Sequence, residues 1–176
     1  MKFHLFEAFT KEEAQEYLDE FLIFGKERGI KILEETLHFT IDLDFTIESL
    51  PKVIKNLLPR LETVSRKPDP NVPEFIRNTA DYHKNLFDFD EKSNLILLAA
   101  AYYLGETFVW NFEKLRWSTG KTDYIEANMP VVKTFKYGIE MAPIMIMENI
   151  FGRIISGMGD LSGIDTAIAA WHADVP

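Results

Sequence analysis

The chain of 176 residues contains no cysteine. Disulfide bonds and thiolate metal sites are therefore excluded, and a reducing compartment such as the cytoplasm is the natural expectation. Long uncharged runs are missing as well. The most apolar stretch has an uncharged run of 13 residues, 93–105, whereas a membrane-spanning helix needs roughly 20. We therefore expect no membrane partner, and no signal peptide is visible behind Met1.

Sequence signatures of catalytic and metal sites are also absent. The histidines are scattered, and none has a second histidine at helical spacing; they are His4, His38, His83 and His172. Neither an H-E-x-x-H metal motif nor a G-x-S-x-G nucleophile motif occurs. The glycine-rich stretch 157–163 follows a predicted helix and lacks the lysine of a phosphate-binding loop, so we interpret it as a helix end before a new cap. We predict no catalytic residue, no metal and no cofactor.

The chain does contain enough apolar material for a hydrophobic core. Hydrophobic residues make up 47% of the sequence and charged residues 27%, as is ordinary for a globular protein. The length suits a single domain, residues 1–176. The clearest loop is 66–73, with three prolines in eight residues. This loop is where an N-terminal helical subregion, residues 1–65, would be separated from the rest.

Charge is distributed unevenly along the chain. The net charge is −9, and residues 1–50 alone carry −7. An acidic surface repels phosphate backbones, so we expect no nucleic-acid partner. Thr10 and Glu13 have the spacing of a capping box, which predicts a first helix from about Lys11 to Arg28 that ends at Gly29.

The outer face of this first helix is the main acidic concentration. It is predicted to present Glu12, Glu16 and Glu20, with Glu13 and Asp19 beside them. Such a face favours a basic protein partner, but the same charge also serves solubility. Both interpretations stay open at the level of sequence.

The segment from Asp88 to Trp117 predicts the central element of the fold. Asp88 and Glu91 have capping-box spacing, and apolar residues then follow on nearly every side. We therefore expect one long buried helix with a strand-like exit. Around it the pattern predicts about five further helices and a small antiparallel sheet of two or three strands. The predicted fold class is mostly helical α+β.

The remaining elements are predicted from periodicity and from turn residues. Helices are expected from Ser49 to a kink or end at Pro59, over 74–86, over 142–155, and over 162–171, the last behind a cap at Ser162. In the helix over 74–86 the residues predicted to face inward are Phe75, Ile76, Thr79, Tyr82 and Leu86. Strand-forming runs are 115–120, 123–125 and 130–137. Residues 30–45 begin like a helix and then alternate, which leaves open a short edge strand or an extended connector.

A single charge, Glu106, lies in the middle of the central helix. A carboxylate there needs a partner, and the available donors are Arg116, Arg153, Lys136 and the hydroxyls of Tyr102 and Tyr103. Glu148, in another apolar helix, would face Glu106 if the two helices pack with these sides together. Glu106 is a structural acid at the edge of the core, the acid of a pocket, or a side chain that simply reaches solvent. The candidate ligand pocket comprises Tyr102, Tyr103, Glu106, Trp110, Arg116 and Trp117.

Three segments of the chain carry a resemblance to a protein family: AYYLGETFVWNF, LRWSTG and EMAPIMIMENIFGRII. They resemble small bacterial domains of unknown function in which a helix with a Leu-Gly-Glu step precedes a tryptophan-bearing strand and a proline-led helix. The step here is Leu104-Gly105-Glu106, and the resemblance covers about Asp88 to Ile155. Some such domains are similar to candidate immunity proteins encoded beside secreted toxins. The resemblance implies a bacterial cytoplasmic protein that acts by binding, and it supplies no catalytic residues.

Two functions are weighed on these grounds. The favoured hypothesis is a non-enzymatic protein-binding domain, an immunity-like partner of a basic toxin or effector. The alternative is a small-molecule-binding protein or enzyme with an aromatic and acidic pocket around Glu106. A structural subunit of a homo-oligomer is a third possibility, and the sequence predicts no oligomeric state.

Overall fold

A computed structural model describes residues 4–121 and 125–176 of the chain. Its helices are α1 His4–Glu7, α2 Lys11–Phe24, α3 Ile30–Thr36, α4 Ser49–Leu57, α5 Glu74–Arg77, α6 Ala80–Lys84, α7 Glu91–Asn111, α8 Pro143–Ile155 and α9 Ser162–Ala173. Its strands are β1 Thr63–Ser65, β2 Phe87–Phe89, β3 Arg116–Thr119 and β4 Pro130–Lys133. A π-helical turn, Gly25–Gly29, joins α2 to α3, and 3-10 turns occupy Leu58–Arg60 and Lys136–Gly138. The predicted mostly helical α+β class is confirmed.

Helix α7 is the centre of the fold, as the sequence predicts. Every residue from Ala99 to Gly105 is buried, and seven consecutive positions cover all sides of a helix with 3.6 residues per turn. The helix contacts α3, α4, α8 and both β3 and β4. Among the described residues, no helix combines the length and apolar character that crossing a membrane requires.

The start of α7 differs from the prediction. Asp90, rather than Asp88, caps the helix, because its carboxylate accepts a 2.7 Å hydrogen bond from the amide of Ser93. Asp88 lies in β2 instead, opposite Val64, and its carboxylate pairs with Arg66 at 3.2 Å. The local sequence offers an acid at both positions, and strand pairing decides which of the two becomes the cap.

The first long helix also extends beyond its predicted end. The capping box of Thr10 and Glu13 is present, but the chain remains helical through Gly29 and on to the end of α3. Within the π-helical turn the amide of Ile30 donates to the carbonyl of Gly25, five residues back. Gly29 has ordinary right-handed helical angles and is buried, and a Cβ on it would lie 3.5 Å from the Ala99 backbone. Because Gly29 packs closely against α7, it does not end the helix as the sequence predicts.

Both sheets are antiparallel and two-stranded. Strands β3 and β4 confirm the predicted sheet, with Trp117 opposite Val132. The β1–β2 pair was not predicted, because its three-residue strands are too short to show a pattern. Residues 37–48 form a connector that contains no strand, so the edge-strand alternative for 30–45 is wrong. Residues 123 and 124 of the predicted run 123–125 lie outside the described residues.

Two further corrections concern the ends of helices. The predicted helix over 74–86 is split into α5 and α6 at Asn78 and Thr79, and its predicted inward face is wrong: Phe75 is 76% exposed and Ile76 39%. The last helix has Leu161, not Ser162, at its N-cap position, and the amide of Ser162 in its first turn donates to the Asp160 carboxylate at 2.8 Å. Gly157 ends α8 as expected, with a left-handed φ of 70°.

Candidate functional site

Three of the predicted pocket residues meet beside the middle of α7. The indole nitrogen of Trp117 donates a 2.8 Å hydrogen bond to the carboxylate of Glu106. The rings of Trp117 and Tyr102 lie parallel, with an interplanar angle of 3° and centroids 6.4 Å apart. Strand β3 supplies the tryptophan, and α7 supplies the other two residues one turn apart. We call Tyr102, Glu106 and Trp117 the central cluster.

Two glycines make the close packing of the central cluster possible. A Cβ on Gly105 would lie 2.1 Å from the Trp117 ring, and a Cβ on Gly25 would lie 2.1 Å from the Tyr102 ring. Neither position has room for a side chain, since carbon atoms in contact are about 3.5–4.0 Å apart. The Leu-Gly-Glu step of the sequence therefore has a structural reason: Gly105 admits the indole that Glu106 then binds.

The polar groups of the central cluster behave as tightly packed groups at the edge of the core. Burial, with a further contribution from the charge of Glu106, raises the pKa of Tyr102 to about 12. The tyrosine hydroxyl is therefore protonated at neutral pH and is a poor general base. Glu106 is half-buried and already accepts the indole N–H. Trp117 was not among the donors considered for Glu106, and only the tertiary approach of β3 to α7 reveals it.

The other three predicted pocket residues lie elsewhere. Tyr103 is fully buried, with its hydroxyl 2.7 Å from that of Ser49 and accepting from the amide of Phe45 at 3.2 Å. Trp110 is 74% exposed and stacks on Phe45, with ring centroids 6.2 Å apart. Arg116 is exposed on β3, opposite Lys133 in the register. Tyr103, Trp110 and Arg116 therefore do not belong to the central cluster.

The other predicted partners of Glu106 are engaged at a distance from it. Lys136 donates to the carbonyl of Ala173 at 2.8 Å, and Arg153 donates to the carbonyl of Met158 at 3.4 Å. Glu148 lines a cleft together with Asn94, which precedes Glu106 on α7 by about 18 Å of helix. The facing pair of Glu106 and Glu148 is therefore wrong.

The cleft that contains Glu148 is lined mainly by polar and charged side chains. It has a volume of about 530 Å³ and lies between the β1–β2 sheet, the first turn of α7 and the second half of α8. Its charged and amide side chains come from Arg66, Asn85, Asp88, Asn94, Glu148, Asn149 and Arg153. Burial raises the pKa of Glu148 above the ordinary range of a glutamate. We call this concavity the polar cleft; sequence reasoning missed it because β1 and β2 were not predicted.

The predicted partner surface on α2 is exposed. Glu12, Glu16 and Glu20 all face solvent, and Asp19 lies beside them with its carboxylate accepting from Gln15 at 2.9 Å. The buried side of the same helix carries Ala14, Leu18 and Phe21. We call the four exposed acids, Glu12, Glu16, Asp19 and Glu20, the acidic face.

Metal-binding geometry is not found in the described part of the chain. No group of three or more histidine, aspartate or glutamate side chains there is arranged to hold an ion. His38, His83 and His172 are exposed and lie on different elements. His172 packs against Phe112, with ring centroids 5.6 Å apart.

Comparison with known proteins adds no relative: no family model, curated protein or solved structure matches this chain. The resemblance of residues 88–155 to immunity-like domains stays a prediction.

Proposed function

We propose that this protein is a non-enzymatic binding domain for a basic protein, and that the acidic face of α2 is its contact surface. The observation that carries the proposal is a row of exposed carboxylates that form no ion pair with a lysine or arginine in the described part of the chain. Within the described residues, none of Glu12, Glu16, Asp19 and Glu20 lies within 4.0 Å of a lysine or arginine nitrogen. Their charge is available to a partner.

The spacing of these acids supports a single contact surface. At 100° per residue, positions 12, 16, 19 and 20 fall within about 100° of arc on α2. Ile23 lies within the same arc, and its side chain is 57% exposed. An apolar side chain among charges matches the arrangement of an interface, in which an apolar contact is surrounded by a polar rim.

The resemblance to immunity-like domains supplies the most concrete partner class. An immunity protein must meet a toxin quickly, and opposite charge accelerates association by electrostatic steering. The absence of cysteine favours a reducing compartment. We therefore propose a bacterial cytoplasmic protein whose partner is a basic toxin or effector.

Charge reversal on α2 tests the proposal. The test variant changes Glu12, Glu16 and Glu20 to lysine. The control variant changes three other exposed glutamates, Glu35, Glu62 and Glu113, to lysine, so that the total change in charge is the same. Tagged wild-type protein and both variants are used to capture partners from the native host at low salt. The captured partner is then purified, and its affinity for the three proteins is measured at low and at physiological salt.

We expect the α2 variant to bind the partner at least about tenfold more weakly than the control variant, with the largest difference at low salt. Circular dichroism establishes that both variants remain folded. Equal weakening by the two variants would show that only net charge matters. Unchanged affinity of the α2 variant at low salt would exclude the acidic face as the contact surface.

The alternative, a small-molecule site around Glu106, has one specific observation in its favour. Glu106, Tyr102 and Trp117 do come together, so a ligand that displaced the Trp117 indole would meet an acid and two aromatic rings. Such displacement would change tryptophan fluorescence. A ligand that produces this change and binds a Glu106→Gln variant equally well would rule out a role for the acid.

A further inference from the structure

Trp110, in the last turn of α7, differs from the other two tryptophans of the chain in its exposure. Its side chain is 74% exposed, whereas Trp117 and Trp171 are partly buried. The indole stacks on the ring of Phe45, with centroids 6.2 Å apart and an interplanar angle of 25°. Since Phe45 covers one face of the indole, the exposed area lies mainly on the other face. An exposed tryptophan of this kind is typical of the residues that contribute most to binding at protein interfaces.

The support beneath the indole is held rigidly. Phe45 has a left-handed φ of 53°, a conformation that is costly for a residue other than glycine and that the surroundings must maintain. Its amide donates to the hydroxyl of Tyr103 at 3.2 Å, and its carbonyl accepts from the side chain of Asn111 at 2.6 Å. Helix α7 therefore fixes both the indole and the ring below it. A surface formed in advance loses little conformational entropy when a partner binds.

The connector that carries Phe45 is acidic. Residues 36–51 contain three acids and no lysine or arginine. Asp44, which directly precedes Phe45, lines a concavity of about 270 Å³ together with Phe39 and Asp42. Both of these acids are exposed, and the Phe39 side chain is 71% exposed. Exposed aromatic rings thus lie next to negative charge, an arrangement that complements a positively charged partner.

The chain itself does not supply a cation to this surface. Within the described residues, neither Asp42 nor Asp44 forms an ion pair with a lysine or arginine. The cation–π contact found there is that of Arg28 with the Phe24 ring, at 6.0 Å from its centroid, and not one with Trp110. The open face of the indole and the adjacent carboxylates are therefore available to a cation from another molecule.

We propose that Trp110 anchors a contact surface for a basic protein, and that an arginine of this partner stacks on the open face of the indole while Asp42 and Asp44 attract its charge. Arginine is favoured over lysine because its planar, weakly hydrated guanidinium stacks on aromatic rings. The proposal rests on the proposed function in that the partner is basic, but it does not depend on the acidic face of α2.

Two cationic peptides of equal length and charge test this assignment on the full chain. Each is a fluorescein-labelled octapeptide that alternates glycine with a basic residue, arginine in one peptide and lysine in the other. Their affinities are measured by fluorescence anisotropy at physiological salt. We expect the arginine peptide to bind at least about threefold more tightly than the lysine peptide, because stacking on the indole adds to an equal attraction between charges.

Substitutions locate the preference for arginine. Trp110→Leu should abolish it, whereas Tyr137→Leu, which removes another exposed aromatic ring (91% exposed), should retain it. Asp42→Lys should weaken both peptides alike, by about threefold or more. Because Trp110, Tyr137 and Asp42 are exposed, these variants should stay folded, which circular dichroism checks.

The lysine variant of Glu12, Glu16 and Glu20 separates this proposal from the acidic face. It should keep the ratio of the two affinities, even if it weakens both peptides, and loss of the ratio in this variant would overturn the role of Trp110. Equal affinity of the wild-type protein for the two peptides would also overturn it, as would an unchanged ratio in Trp110→Leu, unchanged affinities in Asp42→Lys, or no binding of the arginine peptide at about 1 mM.

Discussion

Substitution of Gly105 by alanine tests the packing of the central cluster directly. The new Cβ would lie 2.1 Å from Cη2 and 2.3 Å from Cζ2 of Trp117, and 3.0 Å from Cγ of Pro143. Since ordinary carbon contacts are about 3.5–4.0 Å, the indole has to move by more than about 1 Å. Such a movement also draws the indole nitrogen away from the Glu106 carboxylate.

The magnitude follows from three contributions. Overpacking of a filled site costs about 1–3 kcal/mol, and loss of a hydrogen bond to a charged group costs about 1.5–3 kcal/mol. Alanine is better than glycine inside a helix by about 1 kcal/mol, which offsets part of the loss. We therefore expect Gly105→Ala to lower the free energy of unfolding by about 1.5–5 kcal/mol.

Gly152 provides a matched control. It also lies inside an α-helix, α8, but a Cβ there would meet no atom within 4 Å. Gly152→Ala should therefore raise the free energy of unfolding by about 1 kcal/mol. Both variants are compared with the wild-type protein by urea unfolding, followed by far-ultraviolet circular dichroism. If Gly105→Ala is as stable as Gly152→Ala, the close approach of Trp117 to α7 is refuted.

Three further predictions concern the buried tyrosines and the indole. Trp117→Phe removes the donor to Glu106 and should cost about 1.5–3 kcal/mol; a double-mutant cycle with Glu106→Ala, by urea unfolding, should show the two losses to be non-additive, and additive losses would contradict the bond. Tyr103→Phe should cost about 1–3 kcal/mol in the same assay, because it leaves the buried hydroxyl of Ser49 without its 2.7 Å partner, and an unchanged stability would speak against that contact. Burial raises the pKa of Tyr102 from 10.0 to about 12, so the folded state keeps the hydroxyl proton up to a higher pH than the unfolded state does. The contribution of this hydroxyl to stability is therefore complete below pH 10.0 and is lost as the pH rises toward 12. Tyr102→Phe should therefore reduce the loss of stability over this alkaline range in urea unfolding at stepped pH, and an unchanged pH profile would contradict the shift.

The sequence predicts the centre of this fold well because the signal for α7 is local. A helix that is apolar on every side must be buried, whatever surrounds it. The choice between Asp88 and Asp90 as the cap is different, because it depends on β1 pairing with β2. Such pairing is not encoded in the few residues next to the helix start.

The candidate sites show the same division. The exposed carboxylates of the acidic face are predicted from helical periodicity alone, since α2 buries its apolar side. The bond between Trp117 and Glu106 joins two elements and depends on the absence of a side chain at Gly105. The polar cleft depends on three elements, one of which has strands of only three residues. Sequence patterns therefore identify a surface on a single helix, whereas a site built from several elements can be found only once the tertiary structure is known.

The π-helical turn at Gly25–Gly29 makes the chain sensitive to length at this point. Three consecutive residues in the turn, Lys26, Glu27 and Arg28, are exposed, so their side chains can be exchanged freely. Deleting any one of them would restore the ordinary helical ladder but would rotate everything beyond it by about 100°. Leu33, which is fully buried in the core, would then turn away from α7. These three exposed positions therefore tolerate a change of residue type, but the turn does not tolerate a change in the number of its residues.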